Sequence, residues 1–245
     1  MAHPELGVLR TRPAPSSVKW GRNWPPLSAK KWSIPLGFLI LLQGCGSDRL
    51  FNPGDFQSLP RFQELPFSEI APSYLTDYWE LRHQPLDQPF EVIGSGGSLR
   101  KDQLPDSIRA AFDSTPAKAG FAPGCQPSYC YDYLTAVRDT MISTVQSSEE
   151  LRQFLGFLNT ETEALLLLHA EGFYWSADNK EAGAIRHVNG GFEVVVLKEV
   201  KSCLPTEVDR FLIRVESESG MVREVRADVW EYSKNLCTMT PRTRS

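Results

Sequence analysis

From Cys130 onward, hydrophobic and polar positions follow strand and helix periods more regularly than in the first half of the chain. Asp132 to Arg138 and Met141 to Gln146 alternate every second residue, which predicts a hairpin turning at Asp139-Thr140, with a single helix as the competing reading. Ser147 with Glu150, and Thr160 with Glu163, have the spacing of capping boxes. The first box opens a helix through Leu151, Phe154, Leu155 and Leu158. The second opens one through Leu165 to Ala170 that Gly172 closes. Four consecutive leucines make this second helix apolar on most sides, so it is the predicted central buried helix. The last third predicts an antiparallel meander: Ala184 to Val188, an Asn189-Gly190-Gly191 turn, Phe192 to Val200, Val208 to Glu216, a turn over Ser217 to Gly220, and Met221 to Tyr232. Phe211, Ile213 and Val215 alternate there against Arg210, Leu212 and Arg214.

Between Phe67 and Gly124 the pattern is weaker. It predicts a helix around Ser73 to Arg82, a strand at Phe90 to Ile93, and a short helix at Pro105 to Phe112 with Pro105 in the first helical position. Gly46 to Pro66, with three prolines and few branched apolar residues, reads as a tether. The fold class is therefore α+β, two or more helices packed on an antiparallel β meander, with disulfides.

One apolar run has a different meaning. Lys30-Lys31 precedes Trp32 to Leu42, which is shorter than the roughly 20 apolar residues of a membrane span and suits the core of an export signal. Leu42, Gln43, Gly44 and Cys45 follow, and this run resembles the lipobox of bacterial lipoproteins. The resemblance implies cleavage before Cys45, a diacylglycerol thioether on its sulfur, and acylation, for example by palmitate, of the new amine. More than one acyl chain makes such an anchor effectively permanent. The other reading of the run is a short buried helix with a chance cysteine. No lipoprotein signal needs the 29 residues before Lys30, so a start at Leu27 or Val18 is an alternative to Met1. The expected organisation is 1–44 signal peptide with an over-extended N-terminus, 45–66 lipidated Cys and tether, and 67–245 a single α+β domain.

Assigning Cys45 to lipid leaves four of the chain's five cysteines, and four can pair completely in an oxidising compartment. Three connectivities are open. Cys125 with Cys130 and Cys203 with Cys237 is favoured, because the second and fourth strands of a meander end at the same edge of the sheet. Cys125 and Cys130 have four residues between them and no Lys or His nearby to lower a thiol pKa, which speaks against redox catalysis. The wide separation of Cys203 and Cys237 speaks against a four-thiolate zinc site. Residues 1–44 carry six Lys or Arg and one Glu, so their removal from a chain with 26 basic and 30 acidic residues leaves 20 and 29, a net charge of −9. That charge argues against nucleic acid and leaves a lipid to hold the membrane.

Candidate chemistry is sparse. Gly94-Ser95-Gly96-Gly97 lacks the spacing of a phosphate loop and reads as a flexible turn. No G-x-S-x-G elbow is present. His83, His169 and His187 form no metal motif such as H-E-x-x-H: His169 reads as a packed or helix-end residue, and His187 as exposed. No catalytic residue, metal ligand or cofactor is assigned. Aromatic residues offer the one functional alternative: Tyr129, Tyr131 and Tyr133 beside the Cys125–Cys130 segment, Phe173-Tyr174-Trp175 after the central helix, and Tyr74, Tyr78 and Trp79. Tyr129, Tyr131, Tyr133 and Trp175 are the candidate ligand-binding residues, since aromatic faces stack on sugars or grip a protein. Core packing is the competing role. The leading expectation is a non-enzymatic envelope lipoprotein, held in the membrane by its lipid (the outer membrane if the cell is Gram-negative), contacting another envelope protein or helping to build a surface assembly. A glycan-binding module and an acid/base hydrolase using two of Asp132, Asp139 and Glu171 in one cleft are the alternatives.

Overall fold

The computed structural model describes residues 51–86, 88–124 and 129–236. All fall in the second of the two units into which the chain divides, Gly46–Ser245. The lipobox, Cys45, Cys125 and Cys237 lie outside the described residues.

Among those residues the elements run β1 (Gln57–Ser58), β2 (Tyr78–Pro85), β3 (Glu91–Gly96), α1 (Asp106–Ser114), β4 (Phe121–Gly124), β5 (Cys130–Arg138), β6 (Met141–Val145), α2 (Ser148–Leu155), α3 (Glu161–Ala170), β7 (Ala184–Val188), β8 (Gly191–Ser202), β9 (Thr206–Glu216) and β10 (Val222–Ser233). The class is α+β with a β-rich core. One sheet, the meander sheet, orders β1-β7-β8-β9-β10; the other orders β3-β2-β5-β4, with β6 also pairing to β5. All pairings are antiparallel.

Period-2 alternation gives each strand two faces, and here both faces are used. Phe192, Val194, Val196, Ile213 and Val215 of the meander join Trp79, Leu81, Leu134 and Ala136 of the other sheet and Leu165 to Leu168 of α3 in one core. The predicted central helix thus lies between the sheets, buried from Thr162 to Leu168. Its capping box is complete: Thr160 Oγ1 accepts from Glu163 N, and Glu163 Oε2 accepts from Thr160 N at 3.1 Å and Asn159 N at 2.7 Å. Glu163 Oε1 also accepts from Ala71 N, tying the helix start to the chain leading into β2. The box opening α2 differs slightly: Ser147 caps Glu150 N as expected, but the Glu150 carboxylate reaches Gln146 N, one residue upstream.

The outer faces are covered by smaller pieces. Phe51 and Phe56 pack on Ala184, Val195 and Leu212 of the meander, and α1 places Phe112 on Tyr78 and Val137 of the other sheet.

Four expectations are corrected. The helix around Ser73 to Arg82 is instead the approach to β2 and its first five residues. Tyr78 to Arg82 are all buried because α3 covers one face of β2 and α1 the other, so the strand shows no amphipathic alternation to distinguish it from a helix. The tether is corrected from Phe51 on: Phe56, Leu59 and Leu65 are buried, and β1 pairs with β7 through Gln57 and Ser58. Pro105 is the N-cap of α1 rather than its first residue. The glycine-rich segment has a packing role. A Cβ on Gly94 would stand 2.5 Å from the Phe67 ring, and one on Gly96 would stand 2.8 Å from Trp79. Here glycine clears β3 for two aromatic rings.

Candidate functional site

His83, Asp132 and His169 meet where β2, β5 and the end of α3 converge. On β2, Trp79, Leu81 and His83 share the face toward α3, and on β5 Asp132, Leu134 and Ala136 do the same. The register sets His83 directly opposite Asp132, a cross-strand distance at which short side chains touch. His169, in the last turn of α3, reaches the same carboxylate from above. His83 Nδ1 lies 2.7 Å from Asp132 Oδ1, and His169 Nε2 lies 2.7 Å from Asp132 Oδ2.

Asp132 is 7% exposed, against 29% for His83 and 21% for His169, so a buried carboxylate sits behind two histidines that reach solvent. An ionised carboxylate only accepts hydrogen bonds. His83 therefore donates through Nδ1–H and His169 through Nε2–H, and Asp132 orients both rings. Among the described residues no group of three or more His, Cys, Asp or Glu is placed to hold a metal ion.

Beside His169 is a cavity of about 260 Å³ lined by Arg61, Phe62, Gln63, His169, Tyr174, Trp175 and Ala177. The segment 51–66 supplies one wall and the chain after α3 the other. Phe62 stacks on the His169 ring at 3.9 Å and meets Trp175 edge-on at 6.0 Å. Trp175 Nε1 donates to Pro60 O at 2.7 Å, which pins that ring. Tyr174 is 43% exposed. Burial, and then Glu199 and Glu231, push its hydroxyl pKa up, so it stays a neutral donor.

The residues proposed from sequence do not assemble into one site. Tyr129, Tyr131 and Tyr133 form a ladder along one side of β5, with centroids 5.8 and 6.1 Å apart. They alternate with Asp132, so they lie on the other face of the sheet from His169 and Trp175. Tyr133 is buried, and the Tyr131 hydroxyl donates to Ala117 O. Of the four, Trp175 alone borders the cavity. Trp79 is core, packed on Phe154, Tyr78 packs on Phe112, and half-buried Tyr74 meets Phe154. The three carboxylates of the hydrolase alternative are also separate: Asp132 holds the histidines, Asp139 sits in the β5–β6 turn, and Glu171 pairs with Arg152. His187, exposed as expected, pairs with Glu161. Cys130 is buried at the start of β5, and Cys203 follows the end of β8.

The triad escaped sequence reasoning because its members stand 49 and 37 residues apart and no local motif links them. A correct β2 assignment would have exposed His83 as the neighbour of Asp132 through hairpin and sheet register. No family model, curated protein or solved structure matches this chain.

Proposed function

We propose that this chain is a lipid-anchored protein of the bacterial envelope, held at Cys45 with its domain outside the cytoplasm, in the outer membrane if the cell is Gram-negative. Its domain acts as a non-enzymatic module that binds an envelope protein or a glycan. The observation that supports this reading is how near the lipobox the described packing lies. Phe51, six residues beyond the lipobox cysteine, packs on the meander sheet, and β1, twelve residues beyond it, pairs with β7. Six residues span at most about 20 Å, so a lipid on Cys45 would hold the Phe51 side of the meander sheet close to the bilayer. Among the described residues no helix is long and apolar enough to cross a membrane, so the proposed attachment is the lipid.

The pairing Cys125–Cys130 and Cys203–Cys237 belongs to the same proposal. Leu204 N donates to Leu236 O at 3.3 Å, and Thr206 Oγ1 donates to the same oxygen at 2.8 Å, which brings the neighbours of Cys203 and Cys237 together. A Cys203–Cys237 bridge closes a loop of about 35 residues and contributes roughly 3 to 4 kcal/mol by the chain-entropy model.

Non-reducing peptide mass spectrometry of the protein from a membrane fraction tests both parts. The expected result is a diacylglyceryl, N-acylated peptide starting at Cys45 and a Cys203–Cys237 crosslink. Cys45→Ala should leave the membrane fraction. An unmodified leader with free thiols overturns the reading.

A further inference from the structure

We infer that the cavity beside His169 binds a single sugar ring bearing a carboxylate. This deepens the binding-module reading, and it is independent of the lipid on Cys45. Size is the first argument. About 260 Å³ falls below the roughly 300 to 1,000 Å³ of pockets for drug-sized ligands, so the cavity admits one ring and its substituents. Its walls are the second. Trp175, fixed by Pro60, and exposed Tyr174 offer flat apolar faces of the kind that stack on a sugar. Between them Gln63, the Tyr174 hydroxyl and the His169 imidazole supply hydrogen-bonding groups suited to ring hydroxyls.

Charge selects the carboxylate. The chain after Cys45 has a net charge of −9, yet no Asp or Glu is among the residues lining the cavity. Glu199 and Glu231 act on Tyr174 without lining it. Glu64 is the nearest acid in sequence to Arg61, and its Oε2 accepts from the Arg61 backbone N–H. The Arg61 guanidinium makes no ion pair among the described residues, whereas Arg100, Arg109, Arg152, Arg186 and Arg210 are each paired with a carboxylate; Arg138 and Arg223 are likewise without a carboxylate, but of the three only Arg61 lines the cavity. A cation spared a carboxylate partner in an acidic chain, at the mouth of an aromatic cavity, is placed to receive one from a ligand, in the planar two-pronged geometry guanidinium favours. Asp132 is the positioning residue: by bonding Nε2 of His169 it fixes that ring against Phe62 and leaves Nδ1 facing away from the carboxylate.

The test is calorimetric titration of the full chain in detergent with D-glucuronate, D-glucose and benzoate. Glucuronate should bind saturably, with glucose and benzoate each weaker by tenfold or more. Arg61→Gln should lower glucuronate affinity by about 10- to 100-fold, the size of one charge-assisted hydrogen bond, and leave glucose unchanged. Arg61→Lys should recover part of the loss. Because Arg61 is exposed, these variants should unfold at the wild-type urea midpoint, which separates recognition from folding. Trp175→Leu should weaken glucuronate and glucose alike, and Asp132→Asn should weaken glucuronate while His83→Gln, which leaves the His169–Asp132 bond in place, does so less. No saturable glucuronate heat overturns the inference. So does equal binding of glucose, or an Arg61→Gln variant that binds like wild type. Equal binding of benzoate overturns the sugar assignment. None of these outcomes bears on the lipid at Cys45, which the peptide masses decide separately.

Discussion

The strands β2 and β5 carry two ionic clusters, one on each face of the same sheet, and they are built to opposite specifications. Toward α1, Glu80 and Arg82 are 2% and 0% exposed, joined at 2.8 Å. The Arg82 guanidinium is sandwiched between Phe90 at 4.1 Å and Phe112 at 4.4 Å. Lys101 and the Tyr78 hydroxyl complete the carboxylate's partners. Toward α3, the Asp132 cluster uses groups that can be neutral, leaves both histidines partly in solvent, and adjoins a cavity. A full charge taken out of water must be matched within the protein or the fold loses several kcal/mol. A histidine at a cavity wall carries no such obligation and is available to a ligand. The α1-side cluster is thus built for the fold, and the α3-side cluster is the one that the proposed ligand would meet.

That contrast is sharpest in stability. Arg82→Met keeps the stem between the two phenyl rings but strips Glu80 of its closest cation, and the expected loss is about 3 to 5 kcal/mol, read from urea denaturation. Asp132→Asn retains one acceptor and the side chain's shape, so the expected loss is smaller, about 1 to 3 kcal/mol, and ligand affinity falls with it. An Asp132→Asn variant as unstable as Arg82→Met would erase the distinction. Next in size is the aromatic clamp: Phe62→Leu removes the ring stacked on His169, with an expected cost near 1 kcal/mol and weakened binding in the cavity.

The asymmetry also explains what could be read from the residues alone. The meander from Ala184 to Ser233, the hairpin of β5 and β6, and the Thr160–Glu163 box were legible because each is specified by neighbours in sequence: a turn dipeptide, an alternation, a cap three residues from its partner. β2 was not, because burial on both faces removes alternation. Nor was the role of 51–66, where Phe51, Phe56, Leu59, Phe62 and Leu65 are spaced irregularly between prolines and acquire a common purpose only against the finished sheets. Of the site, Asp132 and Trp175 had been picked out singly for chemistry, but His83 and His169 had been set aside. What joins them is a strand register and the angle at which α3 ends over the sheet, and neither is a local property of the chain.

The smallest effect distinguishes the clusters by pH. Burial opposes the charge on Lys101, but its hydrogen bonds to Asp113 and Glu80 and their charges outweigh that and raise its pKa. Burial first, and Glu80 next, raise that of Tyr78. Both groups hold their proton more tightly in the folded state. Their contribution is therefore fully present below the unfolded values near pH 10 and is lost as pH rises through the higher folded ones. Tyr131, Tyr174 and Lys201 are raised as well and add to the same alkaline fall, so Lys101→Met should reduce its slope without abolishing it, in melting temperatures followed from about pH 8 to 11. His169 meets the face of the sheet away from Lys101 and Tyr78, so His169→Gln should leave the alkaline slope unchanged. A His169→Gln variant that flattened it as Lys101→Met does would mean that the two faces of the sheet are electrostatically one site, with the α1-side cluster coupled to the cavity through β2 and β5.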